Sequence, residues 1–240
     1  MTISKGIQIR ANDQTVISIY NNICKEFIQY RKLVLKDTIL DNKTLSEETF
    51  KKGYIIINCE IDTNTDLTKN VFIILYHFIS SDNLKAMDIK KMIQLTNGLN
   101  KSKESYDMII ITQNNVSTHI TNFVKEHHAK EKNKTIDISK CLFEHDENNC
   151  NCQRNNIFLY TYSNFIITIP KHILVPEYRI LNREERINVI SSLITKKSKL
   201  PKIKKADPCV IWSNATTGDI LEFIRNDEVT GKSIYYRLVV

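Results

Sequence analysis

The residues best suited to metal chemistry are Cys141, His145, Cys150 and Cys152, spaced C-x3-H-x4-C-x-C. Zinc needs four soft ligands that can converge, and paired ligands are usually separated by two to four intervening residues. Here the single residue between Cys150 and Cys152 is tight, and no C-x2-C knuckle is present. The expectation is an ordinary loop with free thiols, no metal and no cofactor. Nuclease chemistry would need two or three carboxylates and a lysine at adjoining strand ends. Glu60 and Asp62 follow an apolar stretch, but no lysine lies two residues after either, and Asp107 begins its stretch rather than ending it. These acids read as solvated loop groups. His127 and His128 are sequence neighbours, and adjacent helix residues point in different directions, so they do not suggest a shared metal site. With five glycines in the chain, neither a phosphate-cradling loop nor a G-x-S-x-G elbow occurs. No catalytic residue is assigned.

The elements that would hold such residues alternate in period. Val16, Ile19, Tyr20, Ile23, Phe27 and Tyr30 recur every three or four residues, predicting an amphipathic helix over 13–35. Thr44 and Glu47 form a capping-box pair for a short helix stopping at Gly53. Tyr54 to Cys59, Val71 to Ile79 and Asp107 to Thr112 read as buried strands. Between and after them, helices are expected over 82–97, ending at Gly98, and over 116–128. That alternation predicts a layered α/β domain. The aperiodic, asparagine-rich stretch 141–156 reads as an insertion loop, and strand-like residues return over 158–169. Asn182 and Glu185 cap a helix with Ile187, Ile190, Leu193 and Ile194 on one side. Asp207 and Pro208 open a short helix, and Asp219 to Arg225 and Ser233 to Val240 form strands joined by a loop containing Gly231.

The chain has 240 residues, a formal charge of +7 and a pI near 9.0. Its amino terminus lacks the pattern of a secretory signal. Its longest apolar run, 71–79, is about half the length needed to cross a bilayer. A soluble, intracellular protein with reduced thiols and no membrane partner is expected. Residues 171–240 hold 13 Lys and Arg against 8 Asp and Glu, including six lysines between 196 and 205 with no acid among them. Such a run can attract phosphates or simply form a solvated face.

Three segments, "HILVPEY" (172–178), "LPKIKKADP" (200–208) and "GDILEFIRNDEVTGKSIYYRLV" (218–239), carry a resemblance. In this order they resemble the C-terminal domain of the fifth-largest shared subunit of eukaryotic nuclear RNA polymerases, and the small archaeal polymerase subunit that corresponds to it. "ITQNNVS" (111–117) is similar to the strand-to-loop segment of the family's jaw domain, which the archaeal form lacks. Large DNA viruses also encode such subunits, and the abundance of Asn, Ile and Lys, which fits an AT-rich genome, is compatible with a viral copy.

The resemblance implies an N-terminal α/β jaw domain over 1–163, restriction-endonuclease-like but without an active site, carrying the 141–156 insertion. A small mixed α+β assembly domain over 164–240 would follow. It implies a non-catalytic subunit of a DNA-directed RNA polymerase, one copy per complex. Its partners would be the largest subunit, other subunits and downstream duplex DNA, in the nucleus or, for a virus, in the cytoplasmic factory and virion. Gln113, Asn114, Asn115, Ser117 and Thr118 would be DNA-proximal. His172, Val175, Pro176, Leu200, Pro201, Lys202, Ile203, Asp207, Pro208, Arg225, Gly231, Tyr236 and Arg237 would form the subunit interface. Two departures bear on these roles. Residues 214–217 (NATT) stand where the family carries a glycine and a basic residue, and no proline occurs near Thr118. A stand-alone basic DNA-binding protein or degenerate nuclease is the competing reading.

Overall fold

Aliphatic side chains at alternate positions give the first sheet two apolar faces, and both are covered by helices. The computed structural model describes residues 13–45, 52–61, 69–76, 84–100, 105–132, 155–194, 196–227 and 231–240. Strands β1 (Leu33–Leu35), β2 (Tyr54–Ile61), β3 (Asn70–Tyr76), β4 (Tyr106–Thr112) and β5 (Asn156–Thr161) lie side by side in that order. The pairs β1–β2 and β2–β3 are antiparallel, whereas β3–β4 and β4–β5 are parallel. Helices α3 (Ala86–Leu99) and α4 (Thr118–Lys132) make the two parallel crossovers. Ile89, Met92, Ile120 and Val124 from these helices pack on Phe72, Ile74, Met108 and Ile110. The opposite face, with Ile57, Ile73, Ile109 and Ile111, is covered by the first helix. Burial on both faces explains why β3 and β4 are nearly continuous apolar runs.

The first helix is shorter than its periodicity suggests. It comprises α1 (Asp13–Asn22), a π-helical turn at Ile23–Phe27 and α2 (Ile28–Tyr30). The wider turn directs Ile23, Cys24, Phe27 and Ile28 together into the core. Lys32 then takes a left-handed φ of 53°, and Leu33–Leu35 leave the helix to pair with the edge of β2. The next helix starts with residue 42, ahead of the Thr44 cap. Its cap is Asp41, whose carboxyl is held below its usual range by the Thr44 hydroxyl and then by nearby backbone N–H groups. Glu47 lies outside the described residues. Gly98 does not end α3, which continues to Leu99 with Asn100 as its C-cap. The strand expected over 158–169 stops at Thr161. Thr161, Ser163 and Asn164 hydrogen-bond among themselves to make a tight turn, and Phe165 is buried immediately after it.

The second sheet has the order β6 (Glu177–Ile180), β8 (Ile220–Asp227), β9 (Gly231–Val239) and β7 (Lys202–Ile203). Helices α5 (Arg183–Ser192) and α6 (Pro208–Ser213) accompany it. Asn182 and Glu185 form the expected capping box of α5. Asp207 caps α6 by accepting from Cys209 N at 2.9 Å, with Pro208 in the first turn.

The core on the α1–α2 side of the first sheet takes Phe165, Ile211 and Trp212 from beyond residue 163. Trp212 is fully buried, with edge-on contacts to Phe27 and Tyr30, and its Nε1 donates to Asn164 O at 2.9 Å. Arg31 donates from Nε (3.1 Å) and Nη2 (2.7 Å) to Ile211 O. Helix α6 therefore joins the N-terminal core as well as covering its own sheet. Among the described residues, Cys24, Cys59 and Cys209 are free thiols, and burial pushes their pKa values up to about 11, 12 and 12 respectively. At neutral pH they are protonated and poorly nucleophilic. No helix among the described residues is long and apolar enough to cross a membrane.

Candidate docking surface and nucleic-acid face

The stretch 200–208 is an edge of the second sheet. Leu200 adopts an extended φ of −61° and ψ of 147°, as the following Pro201 favours. Lys202 and Ile203 pair parallel to Leu238 and Val239. Further backbone bonds run from Leu238 N to Pro201 O (2.8 Å) and from Lys205 N to Val240 O (3.1 Å). Leu200 and Ile203 point into the core, so they hold this edge in place rather than forming its surface. Pro201, Lys202, Lys204 and Lys205 are exposed, while Asp207 and Pro208 are half-buried. Lysines along an open edge also discourage strand-to-strand association with other chains.

The segment around His172 is a turn closed by Val175 N to His172 O at 2.8 Å, with Leu174 N donating to His172 Nδ1 at 3.2 Å. Val175 and Pro176 are half-buried and His172 is exposed. Between them Ile173 and Leu174 are 94% and 82% exposed. Sequence reasoning misses these two as interface candidates. The neighbouring proline and histidine are the visible signal, and only the turn geometry turns both aliphatics outward.

The last hairpin differs from expectation in one respect. Apolar residues on both faces of β8 suggest a core on one side and a partner on the other. Both faces are instead covered within the chain over 220–223. Leu221 and Phe223 pack with Ile203, Val210 and Val239, while Ile220 packs with Leu181, Leu200 and Leu238 beside Val189 and Ile190 of α5. Farther along, the hairpin opens outward. Arg225 and Gly231 are exposed, Gly231 with φ 75°. The Arg237 guanidinium lies 5.8 Å and 5.7 Å from the ring centroids of Phe223 and Tyr235. Tyr236 is half-buried over Glu222, and burial, then that carboxylate, raise its hydroxyl's pKa. Arg179 bridges Glu222 (2.9 Å) and Glu185 (2.6 Å), fixing α5 to the sheet.

The spacing in α5 predicts burial of Ile187, Ile190, Leu193 and Ile194. Only Ile190, with Val189, joins the core, while Ile187, Leu193 and Ile194 are exposed. Two aliphatics suffice to cover the short end of this sheet. Ile194 sits at φ 46°, a conformation unusual for a β-branched residue.

Gln113, Asn114, Asn115, Ser117 and Thr118 occupy the loop leaving the C-terminal end of β4. The Thr112 hydroxyl donates to Asn114 O at 2.8 Å, and Thr121 N donates to Ser117 O at 3.1 Å to open α4. Asn115, Ser117 and Thr118 are exposed; Gln113 and Asn114 are half-buried. Glu60 and Asp107, weighed for nuclease chemistry, are not solvated loop groups. Glu60 lies on β2 and pairs with Lys36. Asp107 lies on β4, pairs with the buried Lys69 at 2.8 Å and accepts from Asn156 at 2.7 Å. Asp62 and the Cys141, His145, Cys150 and Cys152 set lie outside the described residues. The His127 and His128 rings meet edge-on with centroids 6.3 Å apart, and His128 Nε2 accepts from Ile157 N at 3.0 Å.

Comparison with known proteins decides the family. The family model described as "RNA polymerase Rpb5, C-terminal domain" matches residues 167–239. "DNA-directed RNA polymerase subunit Rpo5" of Thermococcus kodakarensis is 44% identical over 69 residues, covering 29% of this chain and 84% of that protein. This chain belongs to the Rpb5 family of RNA polymerase subunits. The Rpo5 of Thermococcus onnurineus is 46% identical over a stretch of the same length. The "DNA-directed RNA polymerase RPB5 homolog" of African swine fever virus is 26% identical over 220 residues, 89% of this chain and 92% of that protein. The viral relative thus aligns with most of the chain, including the first sheet. Within the Rpb5 family portion, Asn214 stands in the segment where a glycine is expected. It takes φ 62° and ends α6, a left-handed position that asparagine tolerates.

Proposed function

We infer that the chain is a non-catalytic structural subunit, present once per polymerase, that docks on the largest subunit through residues 164–240. Its N-terminal domain over 1–163 serves as a jaw beside downstream duplex DNA. The observation that carries this reading is the outward pair Ile173 and Leu174, held on a hydrogen-bonded turn beside half-buried Val175 and Pro176. Rigid presentation lowers the ordering cost of binding, and two exposed aliphatics supply contact area. Arg237, Tyr236 and Arg225 add residue types common in interface hot spots. The uncharged groups of Asn115, Ser117 and Thr118 suit contacts to phosphate oxygens that position without reading sequence. As a polymerase subunit it acts inside the cell, in the nucleus or, for a virus, in the cytoplasmic factory and virion.

Photo-crosslinkers placed singly at Leu174 and Asn115 in an assembled elongation complex test the arrangement. The expected products are largest subunit from Leu174 and downstream duplex from Asn115. Crosslinks from Leu174 only to solvent-quenched product, or from Asn115 only to upstream nucleic acid, would overturn it.

A further inference from the structure

Between the two sheets lies a cleft of about 420 Å³ lined by residues from both halves of the chain. Its floor is apolar and aromatic, with Leu33, Val71, Ile109 and Phe158. Its polar lining is strongly cationic. Arg31, Lys32 and Lys69 contribute from the first half, and Arg183 and Arg186 from the second, against Asp107 and Asp219. The two acids are already engaged, Asp107 by Lys69 at 2.8 Å and Asp219 by Arg186 at 3.1 Å. Among the described residues, no carboxylate pairs with Arg31, Lys32 or Arg183.

Arg31 is the informative member, because it is only 8% exposed. Its guanidinium is held in place by neutral groups alone, the Ile211 carbonyl and the Tyr160 hydroxyl, and lies 4.6 Å from the centroid of the Phe27 ring. Burying a cation without a counter-charge is costly. Hydrogen bonds to neutral acceptors fix its orientation, and the rings of Phe27, Phe158 and Tyr160, at 4.6, 5.9 and 5.6 Å, offset part of its charge without neutralising it. A mobile anion in the cleft would supply that compensation, and planar guanidinium groups bind phosphate or carboxylate oxygens in paired fashion. The apolar floor then favours an anion with an organic body rather than a bare inorganic ion.

We propose that this cleft binds a small organic oxyanion, a phosphate or carboxylate group carried on an apolar or aromatic body. The anionic group meets Arg31 and Arg183, and the body lies over Phe158. Because these arginines come from opposite halves of the chain, the bound ligand ties the two sheets together. That would stabilise the folded chain by mass action and restrict movement between its halves.

Calorimetric titration of the full chain with phenyl phosphate, phenylacetate and inorganic phosphate tests the site. One saturable equivalent is expected for phenyl phosphate or phenylacetate, tighter than for inorganic phosphate, with a rise in the denaturation midpoint. Whichever aromatic anion binds more tightly identifies the preferred oxyanion. The Lys32→Gln/Arg183→Gln variant alters exposed residues and is expected to weaken binding by about tenfold or more. The Lys202→Gln/Lys204→Gln variant, with the same change in charge outside the cleft, is expected to bind as the parent does. Absence of saturable binding, or an equal loss in both variants, would overturn the proposal.

Discussion

The indole of Trp212 meets the ring of Phe27 edge-on, with centroids 5.4 Å apart and planes at 87°. This contact makes one core out of parts of both halves of the chain, since Trp212 follows the first sheet by many residues and yet packs beneath it. A small C-terminal sheet buries limited apolar area alone. Its α6 gains the rest from the N-terminal helix, through Trp212, Ile211 and Arg31. Trp212→Ala is expected to destabilise the chain by about 3–5 kcal/mol. Urea unfolding followed by far-ultraviolet dichroism and by tyrosine fluorescence should give coincident transitions in the parent. Two separated transitions in the parent would mean that the halves fold independently.

A second expectation concerns pH. Burial, aided by the neighbouring His127, lowers the His128 pKa below its ordinary value, and its Nε2 accepts from Ile157 N. Because the folded pKa lies below the unfolded one, the unfolded chain binds more protons as the pH falls. The stability from neutral His128 is fully present above the unfolded value of about 6.5 and is lost as pH drops through the folded value. His128→Gln retains an acceptor and should flatten this dependence below a pH of about 6.5. An unchanged slope in denaturation measurements would assign it to other groups.

Strain at Ile194 makes a third test. With φ 46° and its side chain 94% exposed, this residue forgoes both an easy backbone and a buried side chain. Ile194→Gly should be tolerated and raise stability by up to about 1 kcal/mol. A reduced melting temperature would show that the side chain has a folding role not visible in its contacts.

For the lysine-rich edge, shape and charge separate. Pro201→Ala/Asp207→Ala removes a fixed φ and a helix cap, the cap alone being worth about 1 kcal/mol. It is expected to weaken assembly with polymerase more than Lys204→Gln/Lys205→Gln. Reconstitution followed by gel filtration reads the difference. Equal or reversed effects would mean that the edge works through its charge.

Much of this arrangement is legible in the sequence because local chemistry and tertiary packing agree there. The caps at Asn182 and Asp207, the runs of β3 and β4, and inward Leu200 and Ile203 are of that kind. Where they diverge, the sequence misleads. Leu33–Leu35 continue a helical stripe yet join a sheet edge, a choice made by the partner strand Cys59–Ile61. Ile187 and Leu193 look like core because of their spacing, but the area available beneath α5 is filled by Val189 and Ile190. The outward pair Ile173 and Leu174 follows from a short turn whose histidine and proline are visible but whose geometry is not. The cleft containing Arg31 joins segments far apart in the chain, and no local pattern encodes it.

The central claim is docking through the turn at Ile173 and Leu174. Both side chains are exposed, so Ile173→Ser/Leu174→Ser should leave stability within about 0.5 kcal/mol of the parent. The direct measurement is affinity purification of the tagged full chain, parent and variant, from cells containing its polymerase, with quantification of the largest subunit. The parent should recover that subunit in near-equal amount, and the folded variant should lose most of it. Equal recovery by the two, or a parent that recovers no largest subunit, would contradict the account.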